Sequence, residues 1–199
     1  QYLTIMEVGG YYAHRFFDLL TFLELRTLII TDIDSVKPND NNRRVSVPVA
    51  EGLFTSNGCL KAWFGNDVSP ADLLAKTPDD KTANDRRIAY QIPEVDGGPC
   101  GRSLEDAFIL ANPALFQLEE GDPSVLASEL AGSQKKTAFA LEHAIENTDW
   151  NVPRYIAEGL RWLAQGNLAP IDPPAAAAVE IAAEEAGVDI EGTKEIDHG

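Results

Sequence analysis

The chain has 199 residues, 44% hydrophobic and 24% charged, enough for one folded domain plus an appendage and ordinary for a globular protein. No apolar run approaches the roughly 20 residues needed to cross a bilayer. The two cysteines, Cys59 and Cys100, lie far apart without Cys-x-x-Cys spacing, which argues against zinc and for a reducing, cytoplasmic setting. The formal net charge of −16 weighs against nucleic acid, whose phosphates need Lys and Arg. Residues 172–199, however, hold eight acids against Lys194 alone, which leaves −9 on the remainder. A local basic surface is compatible with that total.

In chain order, residues 1–8 read as a strand closed by Gly9-Gly10, with no basic stretch of a secretory signal and no initiator Met. The chain is therefore expected to be a piece of a longer protein. Residues 11–25 carry Phe16, Leu19, Leu20 and Leu23 at helical spacing, and residues 26–33 form the next strand, a strand–helix–strand crossover. Residues 37–44 are a polar loop. Ser56 or Asn57 caps a helix over residues 58–64, and Ser69-Pro70-Ala71-Asp72 starts another. Residues 77–85 are charged and exposed, residues 88–92 a short strand, and residues 94–101 a glycine-rich loop. Ser103-Leu104-Glu105-Asp106 opens a helix that Asn112-Pro113 ends. Helices are expected over residues 125–130, 135–145 and 153–163. From Pro170 the alanines and alternating acids offer little to bury. The expected divisions are a catalytic domain over 1–111, a helical portion over 112–168 and a disordered acidic tail over 169–199.

The chemistry-bearing residues begin with Leu28-Ile29-Ile30-Thr31-Asp32-Ile33-Asp34. An apolar run ending in acids at i and i+2 places Asp32 and Asp34 on one side of a buried strand end. Ligands of open α/β sheets bind at such ends, and paired carboxylates call for a hard cation. A turn with one aspartate as a cap is the plainer alternative. Ser103 with Asp106 reads as a helix cap close to a capping box, which leaves Glu105 unexplained by the cap. Lys135 and Lys136 are either solvated charges or a positive group beside a phosphate. Trp63, Trp150 and Trp162 read as core anchors, and His14, His143 and His198 show no ligand spacing. A Walker A loop and a Gly-x-Ser-x-Gly elbow are absent.

Taken in order, several of these segments resemble the Toprim region of OLD-family (overcoming lysogenization defect) nucleases. They are Met6-Glu7-Val8-Gly9-Gly10 with His14-Arg15-Phe16, Thr31-Asp32-Ile33-Asp34, Thr55-Ser56-Asn57 with Lys61-Ala62-Trp63, Gly101-Arg102-Ser103-Leu104-Glu105-Asp106, Lys136-Thr137-Ala138-Phe139-Ala140, and Val152-Pro153-Arg154-Tyr155-Ile156 with Glu158-Gly159-Leu160. The resemblance covers residues 2–163. It implies a Toprim-like α/β fold, a small and mostly parallel sheet flanked by helices with a helical C-terminal portion. It further implies a metal-dependent DNA nuclease with an ATPase upstream, and a homodimer of the full-length protein among its partners. By the same resemblance Asp32 and Asp34 match the Asp-x-Asp metal ligands, Ser103 and Glu105 the second cluster, and Lys136 the active-site lysine, with Lys135 its neighbouring alternative. The Glu-Gly-x-x-Glu strand that opens such domains has no match here.

The expected activity is divalent-metal-dependent phosphodiester hydrolysis of DNA by two ions about 4 Å apart. Mg²⁺ or Mn²⁺ suits an all-oxygen donor set, and ATP enters only through the upstream domain. One rival is a Mg²⁺-dependent phosphoacceptor domain, which leaves Glu105 and Lys136 idle. Another is a non-catalytic Toprim-like scaffold that binds DNA or a partner. A topoisomerase or primase role would need a nucleophilic tyrosine or a primase core, and neither is identified.

Overall fold

Thr27, Leu28, Ile29 and Ile30 form β1 (Thr27–Ile30), β-branched and leucine side chains that suit a packed strand. β1 pairs in parallel with β6 (Arg86–Ala89), Ile29 opposite Ile88. β5 (Thr82–Ala83) adds to β6 in antiparallel sense, through a tight turn in which Asn84 has φ 53°. The second sheet is antiparallel, with β2 (Ser35–Pro38) between β3 (Arg44–Ser46) and β4 (Phe54–Thr55). The α/β class holds, but the single, mostly parallel sheet expected is not found: among the described residues there are two small sheets, with one parallel pairing and three antiparallel ones. The computed structural model describes residues 3–118, 121–133, 135–146 and 149–165, without the side chains of Lys136 and Glu146. All of them fall within one unit, Gln1–Gln165. The acidic tail expected to be disordered and His198 lie outside the described residues.

Local capping signals account for the helices. Asn57 caps α2 (Gly58–Phe64), accepting from the Cys59 and Leu60 N–H groups. Ser69 and Asp72 close a reciprocal capping box on α3 (Pro70–Leu74), with proline at its start. Ser103 caps α4 (Leu104–Ala111). The helices expected over residues 125–130 and 153–163 appear as α5 (Pro123–Ser133) and α7 (Arg154–Gln165). The helix expected over 135–145 is α6 (Lys136–Leu141) followed by a π-helical turn, Glu142–Glu146.

The N-terminal expectations change. Residues 3–9 form no strand, and Leu3, Ile5 and Met6 stay exposed. Among the described residues no strand pairs with this segment, so it has no ladder to join. The strand–helix–strand crossover is therefore not formed there. The helix expected over 11–25 splits into a 3-10 segment, Gly10–Phe16, and α1 (Phe17–Phe22), before Glu24 turns left-handed at φ 51°. The loop expected over 37–44 is instead the β2–β3 hairpin, whose turn is closed by Asn39 N–H to the Arg43 carbonyl at 2.8 Å.

Helices cover both faces of the β1–β6 pair. On one face Ile29, Ile33 and Ile88 join Leu60, Leu73 and Tyr90 in the largest apolar cluster. Full burial of each such aliphatic side chain contributes about 1.5–3 kcal/mol. On the other face Tyr155 of α7 packs with Ala89 and Ala107. Gly159 permits that approach, since a Cβ there would stand 2.9 Å from Leu28 Cδ1. A third cluster of Phe108, Ile109, Ala127 and Phe139 joins α4, α5 and α6. Trp63 and Trp150 pack on these clusters, and Trp162 lies under the Arg26 guanidinium at 3.9 Å. Among the described residues no helix is long and apolar enough to cross a membrane.

Candidate functional site

The candidate site forms where the parallel ladder runs out. Thr31 N–H still reaches the Ala89 carbonyl at 3.0 Å. Two residues on, the Ile33 N–H is met by a side chain, the Gln91 amide oxygen at 2.8 Å. The Gln91 amide nitrogen then donates to Asp32 Oδ1 at 2.5 Å and to the Tyr155 hydroxyl oxygen at 3.4 Å. Gln91 has no solvent exposure, so its own amide depends on these partners for hydrogen bonding.

Asp34 is placed differently from what strand alternation predicts. β1 ends at Ile30, and Asp34 has φ 50°, a left-handed conformation that aspartate tolerates better than most residues. Ile33 is buried, as the pattern predicts, but Asp34 is set by its own contacts. Its carbonyl accepts from Ser56 N–H at 2.9 Å and Ser56 Oγ at 3.2 Å. Asn57 Nδ2 lies 3.3 Å from Asp34 Oδ2, 2.8 Å from the Asp32 carbonyl and 2.9 Å from Thr31 Oγ1. One buried asparagine thus caps α2 with its oxygen and braces the Asp32–Asp34 segment with its nitrogen.

The second predicted cluster meets the first through the backbone. Asp34 N–H donates to the Arg102 carbonyl at 3.1 Å, directly before Ser103. Ser103 Oγ accepts the Asp106 N–H at 3.3 Å. The Asp106 carboxylate turns to the Arg102 N–H at 3.1 Å, one residue earlier than a reciprocal capping box requires. The cap therefore accounts for Ser103 and Asp106 and leaves the half-buried Glu105 outside it. Burial, then the charge of Asp32, and further the charge of Glu105 push the Tyr155 phenol well above its ordinary range, against the Gln91 hydrogen bond. The carboxylates of Asp32 and Glu105 thus both bear on one phenol.

The Gln91 and Asn57 side chains that reach Asp32 and Asp34 are neutral amides, which orient a carboxylate. Asp32, Asp34, Ser103 and Glu105 offer oxygen donors alone, the chemistry that Mg²⁺ or Mn²⁺ prefers. Among the described residues no group of three or more His, Cys, Asp or Glu side chains is gathered as a metal site. Lys136 opens α6, but its side chain lies outside the described residues. Lys135 precedes it, exposed. α6 rests on α4 through Phe139 against Phe108, ring centres 5.5 Å apart. Glu105 and Lys136 each lie one helical turn before one of those two rings.

Sequence reasoning missed Gln91 and Tyr155 as parts of this site and read Asn57 only as a helix cap. Gln91 looks like one polar position in Ile88-Ala89-Tyr90-Gln91-Ile92, and Tyr155 like the apolar face of a helix. The cap at Asn57 was the one local signal available.

No family model matches the chain, and no solved structure matches it. Among curated proteins it is similar to Endonuclease GajA of Bacillus cereus (strain HuB5-5), at 25% identity over 194 residues. That match covers 82% of this chain and 27% of the relative, so the chain spans about a quarter of that protein's length.

Proposed function

We propose that this chain is the nuclease portion of a divalent-metal-dependent DNA endonuclease of the OLD type, acting on phosphodiester bonds. The observation that carries the reading is the hydrogen bond from Asp34 N–H to the Arg102 carbonyl at 3.1 Å. It joins the backbone just beyond the end of β1 to the residue that precedes Ser103 and α4, the segments that carry the four proposed oxygen donors. The similarity to a protein named as an endonuclease supports the nuclease reading at that coarse level.

In this reading Asp32 and Asp34 hold cations from the strand end, and Ser103 and Glu105 complete the donor set. Bound Mg²⁺ or Mn²⁺ would supply Lewis-acid charge at the scissile phosphate and a more acidic water. Gln91 and Asn57 orient the two aspartates from behind, and Tyr155 of α7 accepts from the same Gln91 amide. Lys136 would offset negative charge that develops on the phosphate. The segment would work inside a longer, dimeric polypeptide with an upstream ATPase that controls cutting.

The test is nicking of supercoiled plasmid by the full-length protein with Mn²⁺ or Mg²⁺, together with calorimetric Mn²⁺ binding. Asp32→Ala and Glu105→Ala should each lower nicking by about 100-fold or more and weaken Mn²⁺ binding. Nicking that survives either substitution removes this site assignment.

A further inference from the structure

Arg43, Arg44 and Lys61 stand on the β2–β3 hairpin and α2, and among the described residues no carboxylate forms an ion pair with any of them. The nearby Lys37 is, by contrast, already paired with Glu51. Arg44 on β3 and Phe54 on β4 flank β2, and the guanidinium lies 5.5 Å from the ring centre, which holds it at the surface. Burial and then the Arg44 charge push the Lys61 ammonium below its ordinary range. The Arg44 charge thus bears on Lys61, an influence that a bound anion would relieve.

The same segments build the carboxylate site. β2 begins at Ser35, directly after Asp34. β4 leads through Ser56 to Asn57, and Lys61 follows one turn later, its N–H on the Asn57 carbonyl at 3.2 Å. Four residues of helix amount to about 6 Å of rise. Duplex DNA carries one phosphate charge per about 1.7 Å of axis. A strand with one phosphate held at Asp32 and Asp34 would carry further phosphates within a few ångströms of it, toward the segments that join these residues to Arg44 and Lys61.

We propose that the β2–β3–β4 sheet and the first turn of α2 are the track on which duplex DNA flanking the scissile phosphate lies, with Arg44 and Lys61 gripping one backbone phosphate and Arg43 the next. The proposal rests on the nuclease reading above and names the surface that presents its substrate. A duplex held at the proposed nuclease site continues beyond the scissile phosphate onto adjoining surface, which favours a phosphodiester polymer over an acidic protein as the occupant of this face.

The experiment measures binding of a labelled short duplex to the full-length protein by fluorescence anisotropy over a range of salt. Arg44→Glu with Lys61→Glu should weaken binding about tenfold or more and flatten the dependence of log affinity on log salt by about 0.9 for each phosphate no longer gripped. Arg44→Gln with Lys61→Gln should act in the same direction with an unchanged melting temperature, which guards against misfolding of the reversal variant. Unchanged affinity and salt slope overturn the track, as does weaker binding with an unchanged slope. Loss of polyglutamate binding with duplex affinity intact would assign the face to an acidic protein and also overturn it. Asp32→Ala separates the two claims. If it abolishes nicking while the Arg44 and Lys61 variants bind normally, the track fails alone; if nicking survives it, the nuclease site fails.

Discussion

Gln91 shows how much of this site hangs on a single side chain. Its oxygen satisfies the buried Ile33 N–H, and its nitrogen serves Asp32 and Tyr155. Gln91→Leu keeps the volume and removes both roles. It should cost about 1–3 kcal/mol in urea unfolding, because the Ile33 N–H is left buried without a partner. It should also lower nicking by about 10–100-fold through loss of Asp32 orientation. Tyr155→Phe keeps the ring against Ala89 and Ala107 and removes only the hydroxyl, so stability should change by no more than about 1 kcal/mol while nicking falls less than in Gln91→Leu. Equal loss in both variants would show that the ring, and not the hydrogen-bond chain, is what matters. Asp32 and Asp34 stand out in the sequence because they end an apolar run, a local pattern. Gln91 does not, because its partners lie at Ile33 and Tyr155, and neither separation leaves a trace in the neighbouring residues.

Among the elements, those with local start signals were legible. Asn57, Ser69 and Ser103 each cap a helix through their own next few N–H groups, so position and chemistry coincide in the sequence. The two- to four-residue strands β2 to β5 were not. So short a strand carries too few alternations to read, and its identity comes from partners supplied by another segment. The expected strand over residues 1–8 shows the converse, a suitable pattern that no described segment pairs with. The loop leading to α4 is held by close approach as well as by the Ser103 cap. A Cβ on Gly101 would lie 2.5 Å from the Ala107 nitrogen and 2.9 Å from the Asp106 carbonyl carbon. Gly101→Ala must therefore push the 101–103 loop off α4, at a cost of about 1–3 kcal/mol and at least a tenfold loss of nicking as Ser103 and Glu105 move. Gly132→Ala, in α5 with nothing within 4 Å, is the matched control and should stabilise by about 0.4–1 kcal/mol. Urea denaturation and plasmid nicking of the pair check both statements.

For the molecule as a whole, the buried thiols report on the integrity of the main core. Burial pushes Cys59 up to about 11, against a backbone hydrogen bond from His14, and burial pushes Cys100 up to about 12. Raised folded values mean that the stability they contribute is complete below the ordinary thiol value of 9.0 and is lost as pH climbs through about 11 and about 12. At mildly alkaline pH both should resist a thiol-specific chromogenic reagent until denaturant unfolds the chain, and resistance should fade at strongly alkaline pH. Rapid labelling of the folded protein at neutral pH would contradict the packing described for both. The overall α/β class was expected from the family resemblance, whereas the division into two small sheets was not legible, since it depends on where the chain changes direction. That change occurs at Asp34, whose backbone swings through φ 50° as the polypeptide leaves β1 and enters β2. The pivot restricts which replacements isolate electrostatics from architecture. Asparagine or glycine can occupy the same torsion and subtract only the charge, whereas valine or isoleucine would wrench the junction and tilt one sheet against the other.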